Sequence, residues 1–105
     1  MNILFVCSRN LWRSPTAEAI YKDYADLNVK SAGTEPSARI KLNAKNILWA
    51  DLIFVMEKKY RQRMFEKFPN EISEKQIIVL DIPDEYKFMD SELIEDIEAK
   101  VNQYI

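Results

Sequence analysis

The residues able to do chemistry are crowded near the start of the chain, in MNILFVCSRNLWRSPTAEA. The only cysteine, Cys7, ends the apolar run from Ile3 to Val6 and is followed by a polar stretch carrying Arg9 and Arg13, then Ser14 and Pro15. A thiol attacks electrophiles as the thiolate, and a free cysteine is mostly protonated at neutral pH. There is no histidine anywhere, so Cys-His and Ser-His-Asp mechanisms are excluded. Activation then falls to electrostatics: a helix N-terminus with neighbouring cations brings cysteine pKa values down to roughly 3.5–7.5.

The spacing allows for this. Ser14-Pro15 reads as a helix start, with Ser14 as N-cap and Pro15 at the first helical position. A strand end, a short turn and a helix N-terminus therefore follow one another directly, and the amides of residues 8–13 can converge beside Cys7 and Arg13. A tetrahedral oxyanion suits such a place, because backbone N–H groups bind its oxygens and a guanidinium holds two of them bidentately. Ser14 can donate its hydroxyl to the sulfur and stabilise a thiolate, above all as a leaving group. Spacing alone leaves a plainer alternative open, in which Cys7 is a small buried hydrophobe and Arg13 a solvated charge.

The elements that would position these residues follow from apolar periodicity. Ile3–Cys7, Leu52–Met56 and Gln76–Leu80 are continuous apolar runs of the kind buried on both faces of a parallel sheet, and Asn28–Ala32, closed by Gly33, is a further short strand. A helix runs from Ser14 to about Tyr24, with Ala17, Ile20, Tyr21 and Tyr24 inward. Pro36 opens an irregular region, and Ala44–Ala50 forms a short helix carrying Leu48 and Trp49. Tyr60, Met64 and Phe68 line one face of the next helix, whose Lys58, Lys59, Arg61, Arg63 and Lys67 read as a solvated face. Trp49, Phe65 and Phe68 read as core, and Ser91–Ile105 as a helix with Leu93, Ile97, Val101 and Tyr104 inward.

Strands alternating with helices predict a single-domain, three-layer α/β fold over residues 1–105, with about four parallel strands and helices on both faces. Ligands of such sheets bind beyond the carboxyl ends of the strands, where Cys7, Met56-Glu57 and Asp81 lie. A net charge of −2 leaves no positive field to recruit nucleic acid or a membrane surface. One cysteine allows neither an intrachain disulfide nor a cysteine-cluster metal site, and no metal or other cofactor is expected. One glycine excludes glycine-rich nucleotide loops. The first apolar run is too short for a signal peptide or a membrane span, and a cytoplasmic setting is expected.

FVCSRNLWRSPTAEA resembles the signature V-C-x-G-N-x-x-R-S-P-x-A-E of the low-molecular-weight protein tyrosine phosphatases. The resemblance continues in SAGTEP at 31–36, DLIFVME at 51–57 and DIPDEY at 81–86. It implies a phosphatase-I-like fold and phosphomonoester hydrolysis through a cysteinyl-phosphate, with phosphotyrosine in a protein, or a small aryl phosphate, as substrate and inorganic phosphate as product. On that basis Cys7 is the nucleophile, Arg13 the transition-state clamp and Ser14 the thiolate partner. Ser8, Arg9, Asn10, Leu11, Trp12, Arg13 and Ser14 form the phosphate-binding loop, shaped by Asn10, a residue type that tolerates a left-handed backbone. An aspartate protonates the leaving phenolate, whose conjugate acid has a pKa of about 10. Alignment places Asp84 first in that role and Asp81 second, while Asp90 reads as a helix cap. Tyr86 and Trp12 would line the substrate.

The chain also departs from the family pattern. The loop glycine is Arg9, a second loop cysteine is Trp12, the proline after the acid is Glu85, and the strand-end aspartate is Glu57. The segment between Gly33 and Asp51 is shorter than in typical members and lacks a helix and loop that wall the cleft. Relatives acting on phosphoarginine carry a threonine where this chain has Leu11, which favours phosphotyrosine. Two other readings remain. One is a phosphate or phosphotyrosine binder without turnover; the other is an arsenate reductase, which would need an external thiol because no resolving cysteine is present.

Overall fold

The computed structural model describes all 105 residues. Strand β1 (Asn2–Cys7) leads through the polar loop into α1 (Arg13–Tyr21), and β2 (Asn28–Gly33) follows. Then come α2 (Ala44–Trp49), β3 (Leu52–Val55), α3 (Lys58–Lys67), a single turn α4 (Pro69–Ile72), β4 (Gln76–Val79) and α5 (Ser91–Val101). All pairings are parallel, in the order β2-β1-β3-β4. The expected fold class, four parallel strands between helical layers, is the one found.

Alternation along the central strands explains why the apolar runs are unbroken. Phe5 of β1 lies opposite Phe54 of β3, ring centroids 5.3 Å apart, and stacks on Tyr21 of α1 at 6.0 Å. Tyr104, beyond the end of α5, meets Phe54 edge-on. That face of the sheet is covered by α1 and α5, and the other by α2, α3 and α4. With both faces covered, Ile3, Leu4, Phe5, Val6, Ile53, Phe54 and Val55 are all sealed from water.

Several boundaries move, for local reasons. Helix α1 starts at Arg13, not after Ser14, and Trp12 is its N-cap without a side-chain capping bond. Ser14 and Pro15 thus lie inside the first turn, and the Ser14 hydroxyl is free for another partner. The helix ends at Tyr21, before Tyr24. Phe65, expected in the core, is exposed, and so is Leu48. Tyr60 and Met64 already fill the inward stripe of α3, and Phe65 is a further 100° round it. Ile47 takes the inward place in α2. The last helix stops at Val101, and the turn α4 was not anticipated, although Pro69 opens it at a position proline favours.

The strand order places the site. From β1 the chain goes to β2 on one side and then to β3 on the other, so the connections diverge between the carboxyl ends of β1 and β3. In open parallel sheets that crevice is where ligands bind. Cys7 ends β1 on one side of it, and Met56-Glu57 leave β3 on the other.

Candidate active site

The loop after Cys7 owes its shape to a strap from the other side. Gly33 N–H donates to the Ile40 carbonyl and Leu42 N–H to the Gly33 carbonyl, which closes residues 34–39 into a tight loop. Its donors capture successive carbonyls of the Cys7 loop: Thr34 N to Cys7 O at 3.0 Å, Glu35 N to Ser8 O at 2.9 Å, and Arg39 N to Arg9 O at 3.0 Å. Arg39 Nε adds a bond to Asn10 O at 3.1 Å. Within a peptide plane C=O and the next N–H point opposite ways. Holding the carbonyls of 7–10 outward therefore turns the amides of Ser8, Arg9, Asn10 and Leu11 inward, and these amides donate to no acceptor in the protein. Successive inward amides form an anion-binding concavity.

Asn10 makes the turn possible. Its φ of 59° is left-handed, whereas Arg9 has an ordinary negative φ, so an arginine at the family's glycine position introduces no backbone strain. Asn10 Nδ2 donates to Ser14 Oγ and to Ser31 Oγ, both at 2.8 Å, and Ser31 Oγ donates to the Glu18 carboxylate. Ser14 Oγ lies 2.9 Å from Cys7 Sγ. Since Ser14 Oγ already accepts from Asn10, its own proton is available to the sulfur. Cys7 is only 2 % exposed, at the floor of the loop.

Arg13 is the second buried group, 1 % exposed. Nη1 donates to Glu57 Oε2 at 2.5 Å and to Ile82 O at 2.8 Å, and Nη2 donates to the Tyr60 hydroxyl at 2.6 Å. Tyr60 in turn donates to Glu57 Oε2 at 2.9 Å. Of the five guanidinium N–H groups these bonds use three, leaving Nε–H and one on Nη2, the pair that makes a bidentate contact. Asp84 Oδ1 stands 3.6 Å from Nε.

The electrostatics are coupled. Burial disfavours the Arg13 charge, but the hydrogen bonds to Glu57 and Tyr60 outweigh it and hold the guanidinium above its ordinary pKa. Burial likewise pushes Glu57 up, yet the bonds from Arg13 and Tyr60 prevail and hold its carboxyl below the usual range. For Tyr60, burial dominates and raises the phenol, against the Ser8 and Arg13 groups beside it.

A cleft of about 370 Å³ opens beside this cradle, walled by Ser8, Arg9, Glu35, Ser37, Lys59, Tyr60, Arg63 and Asp84. The short 34–39 loop thus supplies part of the wall itself. Of the expected residues, Cys7, Asn10, Arg13 and Ser14 come together at the floor, with Ser8, Arg9 and Asp84 above. Trp12 and Leu11 are exposed, and Leu11 belongs to a separate hollow with Pro15 and Phe88. Tyr86 packs half-buried against the core, and neither it nor Trp12 walls this cleft. Asp81 has left-handed φ and its carbonyl accepts from Lys100, while Asp90 caps α5 through Glu92 N–H at 2.9 Å. Sequence reasoning missed the roles of Tyr60 and Arg39. No group of His, Cys, Asp and Glu side chains in the molecule could hold a metal ion.

A parallel α/β domain with a cysteine at the floor of an amide-lined oxyanion loop, clamped by a buried arginine, has the architecture of cysteine-dependent phosphatases. The family model described as low molecular weight phosphotyrosine protein phosphatase matches residues 2–68, and the chain belongs to that family. It is a cysteine-dependent phosphatase.

Solved structures share the fold. The tyrosine phosphatase Wzb from Escherichia coli K30 in complex with phosphate superposes with a TM-score of 0.77 at 19 % identity, covering 98 % of this chain and 94 % of that one. A low molecular weight phosphotyrosine phosphatase from Vibrio cholerae O395 gives 0.72 at 22 %, over 100 % and 99 %. The YwlE arginine phosphatase from Geobacillus stearothermophilus gives 0.67 at 21 %, over 97 % and 93 %. No curated protein matches the chain by sequence. No helix is long and apolar enough to cross a membrane.

Proposed function

We propose that the chain hydrolyses phosphotyrosine, with Cys7 as nucleophile, Arg13 as clamp, Ser14 as thiolate partner and Asp84 as acid and base. The Cys7 thiolate attacks phosphorus in line with the ester oxygen. An S–P bond forms as the P–O bond breaks, and the Asp84 carboxyl gives its proton to the departing phenolate. The inward amides of residues 8–11 and the Nε and Nη2 protons of Arg13 bind the equatorial oxygens, where charge develops. A water deprotonated by the Asp84 carboxylate then attacks the cysteinyl-phosphate. The S–P bond breaks, the sulfur leaves as a thiolate that accepts a hydrogen bond from the Ser14 hydroxyl, and inorganic phosphate departs.

The observation that carries this reading is the outward capture of four successive carbonyls, Cys7 to Asn10, by the 34–39 loop. A loop held in that way presents donors to a tetrahedral anion and has little other use for them. Asp84 is favoured over Asp81 and Asp90 because it alone of the three walls the cleft and faces Arg13. Phosphotyrosine is preferred over phosphoarginine on the resemblance alone, because Leu11 stands where relatives acting on phosphoarginine carry a threonine.

The test is hydrolysis of aryl phosphates with graded leaving groups. Cys7→Ser is expected to be inactive. Asp84→Asn is expected to lose roughly 10²–10⁴-fold on poor leaving groups and much less on good ones. Full activity in Cys7→Ser, or equal losses across the series in Asp84→Asn, contradicts the assignment.

A further inference from the structure

We propose that the cleft beside Cys7 contains a second anion subsite, formed by Arg9 and Lys59, so that the preferred phosphotyrosine lies next to an acidic residue of its own chain. The inference rests on the phosphatase reading above and specifies what the site selects.

The cleft walls carry three cations, Arg9, Lys59 and Arg63, and two carboxylates, Glu35 and Asp84. They are not equivalent. Arg63 is taken by Glu35, 2.9 Å from Nη1, and also donates to Thr34 Oγ1 at 3.2 Å. Asp84 faces Arg13. Arg9 has no side-chain hydrogen bond and no ion pair. The only carboxylate near Lys59 is Glu57 at 4.0 Å, and that group is already committed to Arg13 and Tyr60. Two cations therefore overlook the cleft with no anion of their own.

Their position ties them to the reaction centre. Arg9 belongs to the loop that holds the phosphate. Lys59 stands two residues after Glu57, the group that fixes Arg13, and its Nζ is 5.5 Å from the centroid of the Tyr60 ring, which Arg13 and Arg63 also approach, at 5.4 and 5.9 Å. An acidic group held between Arg9 and Lys59 is thus an immediate neighbour of the scissile phosphate. The apolar side of the cleft is meagre: Tyr60 is its only hydrophobic wall, and it is almost wholly buried. An isolated phenyl ring finds little to stack on here, whereas a second anion finds unmet charge.

The α3 cations divide accordingly. Lys58 and Arg61 turn to another side of the helix with Gln62 and Phe65, while Lys59 and Arg63 face the cleft. All four are exposed, as the sequence leads one to expect, but only Lys59 and Arg63 wall the cleft. Exposed ion pairs are individually weak and screened by salt, so the preference should be moderate and salt-sensitive.

The experiment compares kcat/KM for two phosphotyrosine peptides that differ only in flanking Glu or Gln residues, with a small aryl phosphate as control. Wild type is expected to favour the acidic peptide by roughly three- to tenfold at low salt. The ratio should fall toward one at high salt and in Lys59→Gln, and invert in Lys59→Glu. Equal rates on the two peptides in wild type, or a preference that persists in Lys59→Glu, overturn the subsite while leaving the phosphatase reading intact. Absence of turnover on all three substrates overturns both.

Discussion

Ser14 Oγ and Cys7 Sγ are 2.9 Å apart, and the hydroxyl's orientation is set from behind by Asn10 Nδ2. In the proposed mechanism this bond serves the sulfur anion. It should matter most when the thiolate leaves phosphorus, because hydrogen bonds to charged groups contribute about 1.5–3 kcal/mol. Ser14→Ala is expected to slow breakdown of the cysteinyl-phosphate by roughly 10- to 100-fold. Rapid-mixing kinetics should therefore show a burst of phenol followed by slow turnover. A uniform loss in both phases contradicts this role.

Gly33 is the chain's single glycine, and close approach requires it there, not a positive φ. A Cβ added at this position would come closer than 3.0 Å to both the Ser8 carbonyl oxygen and Ala38 Cβ. Both belong to the two loops whose mutual capture shapes the cradle. Gly33→Ala should therefore displace the Ser8 peptide, costing about 1–3 kcal/mol of stability. Phosphate affinity should fall by a larger factor than the melting temperature implies. Calorimetric titration with inorganic phosphate, beside a thermal melt, checks this.

Glu57 supplies a pH dependence with a definite sign. Its folded pKa lies below the ordinary glutamate value of 4.5, so its contribution is complete above that value and is lost as pH falls through the lower folded one. Replacing it leaves Arg13 buried with an unmet charge. Because Glu57 is partly exposed, Glu57→Gln should cost about 2–3 kcal/mol near neutral pH, less than breaking a fully buried pair. The gap between variant and wild type should narrow on acidification below about pH 4.5. Denaturant melts across pH 3–8 measure it, and a gap that stays constant or widens in acid contradicts the assignment.

Much of the site was legible because it is local. Cys7, Asn10, Arg13 and Ser14 lie within eight positions, and the unbroken apolar run before them announces a buried strand. What escaped is what the fold brings from afar. Tyr60 falls on the inward stripe of α3 with Met64, and periodicity has no means of showing that its hydroxyl meets an arginine 47 positions earlier. The strap at 34–39 carries no regular pattern at all, because it acts through backbone donors that any residue could supply. Ser14 was legible as a partner of sulfur but not freed from a capping role, since the helix start depends on how Trp12 and Arg13 settle in the loop. Lys59 and Lys58 are identical in type and adjacent in sequence; only the helix phase relative to the cleft separates them.

Covalent catalysis at Cys7, as proposed, passes through an intermediate that can be observed directly. Ser14→Ala, acid-quenched during turnover of an aryl phosphate and examined by intact-mass and peptide mass spectrometry, should carry one phosphate, on Cys7. The adduct should be absent when Cys7→Ala is added, together with all turnover. Turnover without any adduct on Cys7, or a double variant that still hydrolyses substrate, would contradict the account.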